Sequence, residues 1–82
     1  MQTTLDVLGL GKQHMDVWTL MRDGEWRTLQ EISIATGWPE ASVSARLRDF
    51  RKREFENANV LRRPRKGEAR LYEYRVQRRG RA

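Results

Sequence analysis

The stretch that most constrains this chain runs through residues 28–50, where a helix start, a stop and a second helix start follow one another closely. Thr28-Leu29-Gln30-Glu31 has the spacing of a capping box, in which the threonine oxygen and the glutamate carboxylate each accept a backbone N–H at the first turn of a helix. Leu29, Ile32 and Ala35 then recur at every third position with Ile34 on the flank, and Thr36-Gly37 supplies the stop, because glycine tolerates positive φ. This helix has only about two turns. Pro39 suits the first turn of the next helix, where its missing N–H is no loss, and Glu40 suits the positive end of the helix dipole. Val43, Leu47 and Phe50 repeat at i, i+4 and i+7, which marks the buried stripe of a helix over residues 39–52. At about 100° per residue, Ala41, Ala45, Arg48 and Lys52 fall opposite that stripe, with Ser42, Ser44 and Arg51 on its flanks.

The flanking sequence adds a helix before this unit and strands after it. Over residues 12–22, Met15, Trp18 and Met21, with Val17 and Leu20, have the spacing of an amphipathic helix, and Asp23-Gly24 ends it in a turn. Trp26-Arg27-Thr28 reads as a short extended piece. Residues 53–59 are polar and read as a frayed helix end and loop. Val60-Leu61-Arg62-Arg63 is a short strand ended by Pro64, which cannot donate to a ladder. Leu71 to Val76 alternate, with Tyr72, Tyr74 and Val76 on one face and Leu71, Glu73 and Arg75 on the other. Residues 65–69 form the tip of the resulting hairpin, which spans residues 59–77. Residues 1–11 read as a flexible arm, 12–77 as the domain and 78–82 as a disordered basic tail. Trp18 and Trp26 fit core positions, Trp38 sits at the turn before the third helix, and Tyr72 and Tyr74 fit a lid over the helices.

An 82-residue chain with 38% hydrophobic and 34% charged residues has room for one small core and an ionic surface. It contains no cysteine, which removes disulfides and thiolate metal sites, and no long apolar run, which excludes a membrane span. His14 is the single histidine, and the carboxylates lack ligand spacing, so neither a metal site nor a histidine-based triad is expected. Gly9-Leu10-Gly11 lacks the further glycine and lysine of a phosphate loop. The expectation is a cytoplasmic, non-enzymatic protein without cofactors.

Charge is the informative remainder. The formal net charge of +6 divides unevenly, with three basic against six acidic residues in positions 1–40 and fourteen against five in positions 41–82. A basic half of this kind attracts polyanions. A helix enters the DNA major groove only if its exposed face is slim and polar, which Ala41, Ser42, Ser44 and Ala45 satisfy. Arg48, Arg51 and Lys52 extend that face toward phosphates, with a guanine edge a further target for the two arginines. On the hairpin, Arg62, Arg63, Arg65, Lys66 and Arg70 suit the backbone or a minor groove. Glu40 and Asp49 oppose binding unless Glu40 reads a cytosine amine or Asp49 pairs with a neighbouring arginine.

The order helix, short strand, helix, glycine turn, helix, hairpin, and within it LQEISIATGWPEASVSARLRDF, resembles winged helix-turn-helix DNA-binding proteins, of the MarR-like kind and the short winged-helix proteins of phages and prophages. The resemblance covers residues 15–77. Leu29–Thr36 match the positioning helix, Gly37 the turn glycine, and Ser42-Val43-Ser44 with Leu47 the S-x-V-S-x-x-L form of recognition helix. Ala45 departs from the family pattern, which often carries arginine or another polar contact there. The resemblance implies an α+β winged helix-turn-helix with three helices, a short strand and a C-terminal two-stranded wing. It further implies double-stranded DNA binding as a transcriptional regulator or phage accessory protein, by a monomer or a DNA-induced homodimer. The alternative is a winged-helix module for a protein partner such as a polymerase or replication component. A third reading, single-strand or RNA binding, requires exposed aromatic residues.

Overall fold

The structure is a computed structural model that describes residues 11–53, 58–67 and 70–78. Residues 1–10 of the expected arm, residues 54–57 of the expected loop, Glu68 and Ala69 of the hairpin tip, and residues 79–82 of the expected tail lie outside the described residues. Gly11, expected in the arm, instead caps the first helix, and Arg78, expected in the tail, ends the last strand opposite Ala58. In chain order the elements are α1 (Lys12–Met21), β1 (Arg27–Thr28), α2 (Leu29–Thr36), α3 (Glu40–Arg53), β2 (Ala58–Pro64) and β3 (Tyr72–Arg78).

The capping box forms as its residues dictate: Thr28 Oγ1 accepts the Glu31 N–H at 3.1 Å, and Glu31 Oε1 accepts the Thr28 N–H at 2.8 Å. At the other end of α2, Gly37 takes φ +84° and donates its N–H to Ser33 O at 2.8 Å, the left-handed stop expected of glycine. Pro39 lies one residue before α3 rather than inside its first turn, and its carbonyl accepts the Val43 N–H at 3.0 Å. At its far end α3 runs to Arg53. After α1, Asp23 Oδ1 accepts the Glu25 N–H at 2.9 Å while both carboxylate oxygens hold the Arg27 guanidinium, so the expected turn is tied to the strand that follows.

The strands make one antiparallel sheet in the order β1-β3-β2, so the short extended piece at Arg27–Thr28 joins the hairpin through β3. Val60 faces Val76 and Arg62 faces Tyr74 across the β2–β3 pair. Strand β2 begins at Ala58, two residues before the expected start at Val60, because Ala58 is buried against the helices and continues the inward alternation of Val60. The result is α+β, three helices and one three-stranded antiparallel sheet. No described helix is long and apolar enough to cross a membrane.

The core draws Val17, Trp18 and Met21 from α1, Ile32 from α2, Val43, Leu47 and Phe50 from α3, and Ala58, Val60 and Val76 from the sheet. Trp18 meets Phe50 edge-on, with ring centroids 5.4 Å apart. Leu20, Leu29, Trp38 and Tyr74 pack around its fringe, and Trp38 Nε1 donates to Asp16 at 2.8 Å. Three expectations are corrected. Met15 and Ala35 turn outward, and the buried position on α1 falls to His14, whose Nε2 lies 2.8 Å from Asp49 Oδ2 and whose ring abuts Phe50. His14 is therefore not isolated: it joins α1 to α3. Trp26 lies outside the core, half-buried on the outer sheet face beneath Arg63, whose Cζ is 4.0 Å from the ring centroid, and Arg75.

Candidate nucleic-acid interface

Helix α3 presents the residues that its periodicity placed outward. Ala41, Arg48, Arg51 and Lys52 are exposed, and Ser42, Ser44 and Ala45 are half-buried along the same helix. The stripe of Val43, Leu47 and Phe50 anchors the opposite side in the core, which fixes the rotation of the helix about its axis. Asp49, expected to oppose an anion, is engaged by His14 and by Arg46, whose Nε comes within 3.3 Å of its Oδ2. Arg46 also donates to Gln13 Oε1 at 2.9 Å and so belongs to the α1–α3 contact.

The basic residues divide into two groups by their partners. Arg27 is held by Asp23, and Arg46 by Gln13 and Asp49. On the outer sheet face Glu73, nearly buried, receives Arg63 Nε at 2.9 Å and Arg65 Nη2 at 2.9 Å, and Arg65 Nη2 also reaches Glu31 Oε1 at 2.9 Å. Arg63 and Arg65, expected as DNA contacts, thus occupy a carboxylate network that ties the hairpin to the start of α2. The physical consequence is visible in their acid–base behaviour. Glu31 is held below its ordinary value by the Thr28 backbone N–H first and by Arg65 second, and Glu73 by the hydrogen bond from Arg63 first. Arg65 is raised in turn by Glu31 and Glu73.

The second group has no carboxylate within ion-pair distance among the described residues and includes Arg48, Arg51 and Lys52 on α3, Arg62, Lys66 and Arg70 on the hairpin, and, away from these, Arg22 and Arg75. Arg48, Arg51 and Arg62 come together with Ser44, Leu47 and Tyr74 around one cleft of about 160 Å³ between α3 and the sheet. Arg70 lines a neighbouring cavity of about 260 Å³ with Leu29, Gln30, Glu40, Leu71, Tyr72 and Tyr74. Lys66 is exposed at the hairpin turn beside Gly67, whose φ is +82°.

Arg62 is the residue that sequence reasoning did not separate from its neighbours on the hairpin. The signal was available in strand parity. Arg62 shares the face of Val60 and Tyr74, which look toward the helices, whereas Arg63 shares the face of Glu73. Its guanidinium stacks on the Tyr72 ring, 4.6 Å from the centroid. Among the described residues no group of His, Cys, Asp and Glu could hold a metal ion. Compared with protein-family models, with curated proteins and with solved structures, the chain matches none.

Proposed function

We infer that this chain is a winged helix-turn-helix protein that binds double-stranded DNA, with α3 as the helix that enters the major groove and the β2–β3 hairpin as the wing. One observation carries the reading. The outward side of α3 is small near its N-terminus at Ala41, Ser42, Ser44 and Ala45, then cationic at Arg48, Arg51 and Lys52, with no carboxylate paired to those cations among the described residues. A fourteen-residue helix is about 21 Å long, enough to cross a major groove about 12 Å wide. The reading includes no catalytic step and no cofactor, and its biological setting is transcriptional regulation or an accessory role in a phage or prophage, by a monomer or a DNA-induced dimer in the cytoplasm.

Titration of a labelled random-sequence duplex at increasing salt tests it. Binding through phosphates makes log K fall linearly with log salt, with a slope of about −0.9 for each phosphate contacted. A flat dependence, or no binding at low salt, overturns the reading.

A second reading, a module for a protein partner, is favoured by the side formed by α1 and α2. Ile34 is 76% exposed, and Met15, Thr19, Leu20 and Ala35 line an open cleft there with Asp16 and Thr36. It predicts that substitutions on α1 and α2, and not on α3, abolish the protein's activity in its host process.

A further inference from the structure

We propose that the cleft between α3 and β2 is a site for one phosphate group, held by Arg48, Arg51 and Arg62 with the hydroxyl of Ser44. The proposal rests on the DNA-binding reading and deepens it, because it names the hairpin residue that works with α3 and assigns the two a shared ligand.

Ser44, Arg48 and Arg51 stand at i, i+4 and i+7, so they form one row along α3. Arg62 stands across the cleft from that row. Leu47, only 3% exposed, and Tyr74 complete the lining. Three guanidiniums lining one small cleft call for negative charge, and among the described residues the ion-paired carboxylates serve other cations: Glu73 and Glu31 serve Arg63 and Arg65, Asp49 serves Arg46 and His14, and Asp23 serves Arg27. An anion from outside the chain supplies the missing compensation. The chemistry selects a tetrahedral oxyanion, because the guanidinium fork matches the spacing of phosphate oxygens and a serine hydroxyl adds a further donor.

Two features make this a prepared site rather than a general positive surface. The stack of Arg62 on Tyr72 restricts the rotamers of a long side chain before any ligand arrives. The cleft of about 160 Å³ has room for one phosphate group beside the three guanidiniums. A phosphodiester of a duplex and a free phosphate share this chemistry, and the reach of α3 toward the major groove favours the phosphodiester.

The experiment uses the whole chain with two probes. Inorganic phosphate is titrated while the Nε–Hε resonances of the arginines are followed by NMR; those of Arg48, Arg51 and Arg62 shift together, and those of Arg27 and Arg63 stay in place. In parallel a random-sequence duplex is titrated against salt with the parent, Arg62→Ala, Arg48→Ala, the double variant, and Arg22→Ala as a control that removes the same charge from a residue just after α1. Arg62→Ala shallows the salt slope by about one and weakens binding about tenfold, while the double variant loses less than the product of the single losses. Arg22→Ala leaves the slope as it is. Equal shifts at Arg27 and Arg63, or a parental slope in Arg62→Ala, overturn the site while DNA binding stands. A parent with no salt-dependent duplex affinity overturns the DNA reading instead, and the phosphate shifts then decide the site alone.

Discussion

Arg65 shows how one side chain can be chemically suited to a phosphate and yet be committed elsewhere. Its guanidinium joins Glu73 on β3 to Glu31, the same carboxylate that caps α2. Both carboxylates titrate below their ordinary value of 4.5, so their contribution to stability is complete above that pH and is lost as acid carries the pH down through the lowered folded values. Asp23, lowered from 3.8 to about 2 chiefly by its hydrogen bond to Arg27, extends the same loss further into acid. Thermal melts from about pH 7 to about pH 2 therefore show Tm steady near neutrality and falling below about pH 4.5. Glu73→Gln makes that fall shallower and lowers Tm at neutral pH, because one carboxylate no longer holds Arg63 and Arg65. The capping half of this arrangement was legible in Thr28-x-x-Glu31, because its partners are three residues apart. The Arg65 half was not, because it depends on which residue of β3 comes to lie beside the hairpin turn.

At the scale of elements, α2 is specified almost wholly by its own residues. Thr28→Ala removes the N-cap acceptor and costs about 1 kcal/mol, and Gly37→Ala, at φ +84°, costs about 1 kcal/mol for a left-handed residue with a Cβ. Phe50→Ala, in contrast, empties the junction of α1 and α3 and costs about 3–5 kcal/mol. Chemical denaturation finds Phe50→Ala the most destabilised of the three, with Thr28→Ala and Gly37→Ala losing similar, smaller amounts. The same distinction explains which elements could be read from sequence. Local caps and the i, i+4, i+7 stripe of α3 carried their own information. The start of β2 at Ala58 did not, since an alanine after a polar run becomes strand only by pairing with β3 and packing on the helices. On α1, spacing alone admitted Met15, whereas the fold buried His14 because Asp49 satisfies its ring nitrogen. The candidate interface was legible on α3 and blurred on the hairpin, where the division between Arg62 and Arg63 required the strand register.

For the molecule as a whole, the two broad surfaces have opposite chemistry. The outward side of α3 and the nearby hairpin residues are cationic, whereas the cleft between α1 and α2 is lined by Met15, Leu20 and Ala35 with Ile34 exposed nearby on α2. Substitutions on the two surfaces separate their roles. Ile34→Gln changes the unfolding free energy by less than about 0.5 kcal/mol and leaves the salt slope of duplex binding unchanged. Arg48→Ala likewise folds normally but shallows that slope by about one, read in the same titration of labelled duplex against salt.

The strand that both of its neighbours require is the last one described: β3 stands between β1 and β2, pairing Thr28 with Glu73 and Arg63 with the same residue from the other side. Before β3 pairs, neither β1 nor β2 has a sheet to join, and Thr28 must meet Glu73 across the whole of α2, α3 and β2. Closing that span carries an entropic cost that grows with the length of chain between the partners. Without β3 the chain has neither its central strand nor Val76, so the helices would stand over an unfinished core.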